Sequence, residues 1–180
     1  MKILIVEDDE LLADTLKRLV ELNPLYEVTA IAHDLASAIQ ALDARPPDLA
    51  LVDLQLANAT SGFSVAARLH GLGIACLFTT GNPPGFPVPD LAIGCLHKPF
   101  EVDHLIRALN EAEDILRGRQ KLILKTRLPD QLQLYTGEAA GAREESKTWV
   151  PTVRSRTSLR ARLWKLVRRP SSFRSAAKVA

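Results

Sequence analysis

The sequence predicts an α/β fold, a doubly wound five-stranded parallel sheet with helices on both faces. Three observations predict it. Short apolar runs alternate with segments whose apolar residues recur at helical spacing. The connections between them are short, and strands that alternate with helices in this way form parallel sheets. The apolar runs also end in polar chemistry: Glu7-Asp8, Asp53, Thr79-Thr80 and Lys98 each close one.

Lys2-Ile3-Leu4-Ile5-Val6 reads as the first strand and runs into Glu7-Asp8-Asp9-Glu10. Four adjacent acids repel one another unless a cation or a helix N-terminus takes up their charge. Leu11, Leu12, Thr15, Leu16, Leu19 and Val20 then mark a helix that Asn23-Pro24 stops. Tyr26 to Ala32 alternates apolar and polar, a second strand with one wetter face. Leu35 to Leu42 reads as a helix with Asp34 as its candidate cap. Leu49-Ala50-Leu51-Val52-Asp53-Leu54 is a buried central strand carrying one carboxylate. An unpaired buried charge is costly, so Asp53 is expected where the strand ends and water, metal or substrate reaches it. Asn58 to Gly62 is a turn cluster and Phe63 to Leu72 a third helix. Ile74 to Phe78 is the fourth strand and Leu91 to Leu96 the fifth. Between them, Asn82 to Pro89 holds four prolines in seven residues, hostile to helix, so a fourth helix is expected to be short or missing. Val102, Leu105, Ile106, Leu109, Ala112, Ile115 and Leu116 form the stripe of the last helix.

Charge divides the chain. Residues 1–116 hold 7 Lys+Arg against 17 Asp+Glu, a net of −10; residues 117–180 hold 16 against 4, a net of +12. The reading is an acidic body at 1–116, a short strand-like extension at 117–136 around Pro129-Asp130, and a basic, flexible tail at 137–180. Within the tail, 158–169 can form a basic amphipathic helix, whose partner would be an acidic protein, an anionic membrane or nucleic acid; the alternative is a disordered tail with no dedicated partner. The two cysteines, Cys76 and Cys95, sit in apolar stretches, as reduced thiols of a cytoplasmic protein do. Neither a signal peptide nor a run approaching the ~20 apolar residues of a membrane helix is read.

Carboxylates that converge with one open face suit a hard divalent cation, and Mg²⁺ takes a couple of them plus water and phosphate oxygens. A carboxylate can also attack phosphorus to give an acyl phosphate. A lysine adds a point charge for phosphoryl oxygens, and a threonine hydroxyl donates to them.

With Ile-Val-Glu-Asp-Asp at 5–9, Val-Asp-Leu at 52–54 with Gly62 downstream, Thr80-Gly81, and Lys98-Pro99-Phe100, residues 1–116 resemble the receiver domain of two-component response regulators. The resemblance implies the flavodoxin-like receiver fold and phosphorelay signalling, with a histidine kinase or histidine phosphotransfer protein as donor. It implies that Asp53 is the phosphoacceptor and that Thr80 and Lys98 bind the phosphoryl group. Asp8 would bind Mg²⁺ directly, Glu7 through water, and the Gln55 carbonyl would complete the site with Asp53. The Lys98-Pro99 peptide would be cis, and Asp9 has no assigned role. Such a protein is a switch rather than an enzyme, its chemistry limited to self-catalysed phosphoryl transfer and autodephosphorylation.

Two features depart from the pattern. Receivers usually carry Tyr or Phe three residues before the lysine, whose rotation follows phosphorylation; Cys95 stands there. The proline cluster replaces the fourth helix. Leu77-Phe78-Thr79-Thr80-Gly81 is similar to a receiver subfamily marked by Phe-Ala-Thr-Gly, which also lacks that aromatic. Two alternatives differ in class. One is a DNA-binding regulator acting through the basic tail. The other is an Asp-nucleophile phosphatase, which would need an acid two residues after Asp53, where Gln55 stands.

Overall fold

A computed structural model describes residues 1–57, 61–119 and 128–135. The order of elements is β1 (Lys2–Val6), α1 (Glu10–Val20), β2 (Glu27–Ala32), α2 (Leu35–Ala44), β3 (Leu49–Val52), α3 (Gly62–Gly71), β4 (Ala75–Thr80), β5 (Gly94–His97), α4 (Val102–Leu116) and β6 (Leu132–Leu134). The sheet order is β2-β1-β3-β4-β5-β6, with every neighbouring pair parallel except β5 and β6. The α/β receiver fold read from the sequence is therefore present, with an added antiparallel edge strand.

Strand alternation builds two cores. Ile3, Ile5, Leu49, Leu51, Leu77 and Leu96 face α1 and α4, meeting Leu16, Val20, Leu105 and Leu109. Leu4, Val6, Ala50, Val52, Cys76, Phe78 and Cys95 face α2 and α3, meeting Ala38, Val65, Ala66 and Leu69. Both faces of β3 are sealed, which is why its sequence is continuously apolar.

The helices start where local chemistry dictates. Asp9 caps α1, its carboxylate accepting from the Leu12 N–H at 2.9 Å. Asp34 caps α2 in a reciprocal arrangement with Ser37. Leu11 belongs to the α1 apolar pattern yet is 79% exposed, because the buried stripe runs through Ala13, Leu16 and Val20 instead.

Residues 81–93 contain no helix. The prolines withhold donors and bias their predecessors away from helical angles. Val88, Leu91 and Ala92 cover the α3-side core in its place. The Leu91 and Ala92 amides both donate to the Val88 carbonyl in a turn, so β5 begins at Gly94 rather than at Leu91. The strand-like extension expected over 117–136 supplies β6. Residues 120–127 of that extension, the tail at 137–180 and the amphipathic helix at 158–169 lie outside the described residues. No helix among the described residues is long and apolar enough to cross a membrane.

Candidate functional site

In an open parallel sheet the crevice opens beyond the carboxyl ends of the strands where the strand order reverses. Here that point lies between β1 and β3. The Glu7 N–H donates to the Ala32 carbonyl and the Asp53 N–H to the Val6 carbonyl, both at 2.9 Å, so the ladder holds each backbone just past its strand end. β5 delivers Lys98 to the same place.

The Lys98 ammonium bridges two carboxylates. Its Nζ donates to Asp53 Oδ2 at 2.6 Å and to Glu7 Oε2 at 2.8 Å. Glu7 and Asp53 are only 3% and 6% exposed. The second Asp53 oxygen, Oδ1, accepts from the Gln55 N–H at 2.9 Å. Asp8 lies at the rim, its Oδ2 accepting from the Ala57 N–H at 3.0 Å. Thr80 is fully buried at the end of β4; its carbonyl accepts from the Lys98 N–H at 2.9 Å and its hydroxyl from the Asn82 N–H at 3.2 Å. The Lys98-Pro99 peptide is cis. Lys98 thus touches both Glu7 and Asp53, Gln55 and Thr80 join them through single bonds, and Asp8 engages the β3–α3 loop.

Two further residues shape this centre, and only the first carries no mark in the sequence. His33, just past β2, places Nδ1 2.8 Å from the Glu7 carbonyl. Gly62 opens α3 against the backbone of Asp53 and Leu54. Gly62 stands out in the sequence as part of a turn cluster; its contact with Asp53 depends on the fold.

Burial pushes the Glu7 carboxyl up from its ordinary value; Lys98 pulls it down and the Asp53 charge pushes it up again. Burial pulls the Lys98 ammonium down, but its bonds to Asp53 and Glu7 outweigh this and leave it above 10.5. A cation whose folded pKa is raised contributes stability in full below the unfolded value and loses it as pH climbs through the folded value. The urea midpoint is therefore expected to fall more steeply above pH 10.5 in the wild type than in Lys98→Met, which has no ammonium to lose there. Parallel curves for the two proteins would show that the bridge contributes nothing.

Two carboxylates share one lysine and Asp8 stands at the rim, a donor set of hard oxygens with surplus negative charge, and that chemistry fits Mg²⁺. Among the described residues no three His, Cys, Asp or Glu side chains form a ready coordination cluster. A cation here must compete with Lys98 and the Ala57 N–H for oxygens already engaged.

The sequence model of the response regulator receiver domain family matches residues 3–110. The chain belongs to this family. The receiver's fold is shared with a CheY-like receiver domain from Methanospirillum hungatei JF-1 at 25% identity and a TM-score of 0.58, covering 66% of this chain and 97% of that one. The receiver domain of a modulated diguanylate cyclase from Desulfovibrio desulfuricans G20 is 30% identical with a TM-score of 0.53, covering 68% and 97%. Among curated relatives, the phyllosphere-induced regulator PhyR of Methylorubrum extorquens is 31% identical over 118 residues, covering 62% of this chain and 43% of that protein. A protein-glutamate methylesterase/protein-glutamine glutaminase of Anaeromyxobacter dehalogenans is 29% identical over 127 residues, covering 68% and 36%. The match spans less than half the length of these relatives.

Proposed function

We propose that this receiver accepts a phosphoryl group on Asp53 from a histidine kinase or histidine phosphotransfer protein, and that the added charge changes its binding to a downstream partner. The observation that carries the reading is the Asp53 carboxylate, placed just beyond β3 in the strand-order crevice and clamped by Lys98 at 2.6 Å.

In the reaction, an Asp53 oxygen forms a bond to phosphorus as the P–N bond of the donor phosphohistidine breaks. The imidazole leaves with the electron pair and takes up a proton. Lys98 already lies against Asp53 and offers its charge to the incoming phosphoryl oxygens. Thr80 ends the neighbouring strand, and turning its hydroxyl from Asn82 would give those oxygens a donor. Glu7, Asp8, Asp53 and the Gln55 carbonyl are the residues that would hold Mg²⁺. When bound, the ion supplies charge neutralisation and alignment of the phosphoryl oxygens. Gln55, two residues past Asp53, engages it through a backbone N–H and brings no acid, which argues against a phosphatase.

The test is incubation of the full chain with acetyl phosphate, with and without Mg²⁺, followed by intact-mass measurement. A mass gain of one phosphoryl group that requires Mg²⁺ supports the reading; no gain in either condition refutes it. A second expectation concerns the metal. Asp8→Ala should weaken Mg²⁺ binding by at least about tenfold in calorimetry, since it removes an oxygen donor and frees the Ala57 N–H. Equal affinity would remove Asp8 from the ion's ligands.

A further inference from the structure

The segment Gln131–Tyr135 lies beyond residues 3–110 that match the receiver family, yet it is built into the sheet. β6 pairs with β5 in the register Gly94↔Leu134, Cys95↔Gln133 and Leu96↔Leu132. The ladder extends one residue at each end: the His97 N–H donates to the Gln131 carbonyl at 2.8 Å and the Tyr135 N–H to the Ile93 carbonyl at 2.9 Å. Gln131 therefore grips the residue immediately before Lys98, whose side chain bridges Asp53 and Glu7.

β5 is shaped to receive this strand. A Cβ at Gly94 would lie 2.5 Å from the Gln133 carbonyl oxygen and 3.2 Å from the Leu134 Cα. Only glycine lets the two backbones approach this closely. The fit is also loaded against itself. His97 Nε2 and the Tyr135 hydroxyl, one near each end of the ladder, are buried without a hydrogen-bond partner among the described residues. The Tyr135 hydroxyl lies beside the Cys95 thiol, too weak a partner to satisfy it. A buried polar atom left unpaired penalises the closed arrangement. A three-residue edge strand that carries such penalties is poised to open before the rest of the sheet.

We propose that Gln131–Tyr135 is a latch that positions Lys98 through β5, so that closure of β6 and occupancy of the Asp53 centre favour each other. The proposal rests on the reading of that centre as a phosphoryl site. Coupling of this kind is reciprocal: whatever factor the latch adds to ligand affinity, the ligand adds to latch closure.

The experiment follows hydrogen exchange at the Tyr135 and His97 amides in the full chain, with beryllofluoride plus Mg²⁺ as the probe. Bound probe is expected to slow both amides severalfold. Gly94→Ala, whose added Cβ pushes β6 away, should speed their exchange and weaken beryllofluoride by a matching factor. Tyr135→Phe removes the unpaired hydroxyl without adding bulk. It should slow exchange by about tenfold and tighten beryllofluoride, so the proposal stays testable even where Gly94→Ala fails to fold. Probe binding with unchanged Tyr135 and His97 exchange overturns the latch, as does Gly94→Ala with free β6 and wild-type affinity. If the wild type does not bind beryllofluoride, the phosphoryl-site reading falls, and Lys98→Met then decides the latch alone. Altered exchange at Tyr135 in that variant supports coupling between Lys98 and β6, and unaltered exchange overturns it.

Discussion

Asp53→Ala is expected to abolish Mg²⁺-dependent labelling by acetyl phosphate while leaving the fold intact. The two halves of this result have separate causes. Labelling stops because the nucleophilic oxygen at the end of β3 is gone. Stability holds because Lys98 keeps Glu7 as its partner after Asp53 is lost. The substitution also removes a second buried negative charge, and the Asp53 charge is one of the causes holding Glu7 above its ordinary pKa. The Glu7 carboxyl should therefore fall toward its ordinary value, and the unfolding free energy should change by no more than about 1 kcal/mol. The Gln55 N–H loses its acceptor at an exposed residue, where water replaces it. Intact-mass labelling and urea unfolding on one preparation check both halves. A variant that labels like the wild type would end the assignment of Asp53 as phosphoacceptor.

The second large effect lies in a residue without functional groups. A Cβ on Gly62 would sit 2.0 Å from the Asp53 carbonyl oxygen, 2.6 Å from the Leu54 Cα and 2.8 Å from the Asp53 carbonyl carbon. All three are backbone atoms at the end of a central strand and cannot step aside as a side-chain tip can. The first turn of α3 must withdraw instead, breaking the Gly62 N–H bond to the Leu54 carbonyl and disturbing the backbone that carries Asp53. Gly62→Ala is expected to cost about 3 kcal/mol in urea unfolding, at the upper end of overpacking effects, and to slow labelling of Asp53. Gly71→Ala is the internal control. It closes the same helix with nothing within 4 Å of its Cβ, and alanine at a helical position is neutral to mildly stabilising. Equal midpoints for the two variants would contradict the close-packing argument.

Much of this architecture was legible because it is written locally. The runs at 2–6 and 49–52 are apolar on every residue that the sheet buries on both faces, and Asp34 announces its helix by residue type and position. The prolines between Asn82 and Pro89 excluded a helix by removing donors, a property of each residue alone. The last helix, Val102–Leu116, coincides with its apolar stripe because one face meets a continuous core. Leu11 marked its helix correctly yet stays exposed, because helical spacing names candidates for a buried face and only packing chooses among them. The first residues of β5 misled because an apolar run before a strand can also turn.

The sequence by itself determined which segments form strands and helices, and it marked the residue types that end them: acids after β1 and β3, a hydroxyl at the end of β4, a lysine after β5. These follow from side-chain periodicity and local backbone preference, which act over a few residues. The tertiary structure alone decided that one ammonium serves both Glu7, 91 residues away, and Asp53, 45 residues away. It also decided that Gly62 lies against the Asp53 backbone and that Tyr135 closes a sixth strand over Cys95. Each is a contact between segments far apart in the chain, set by how the sheet orders its strands, and no local pattern encodes that order.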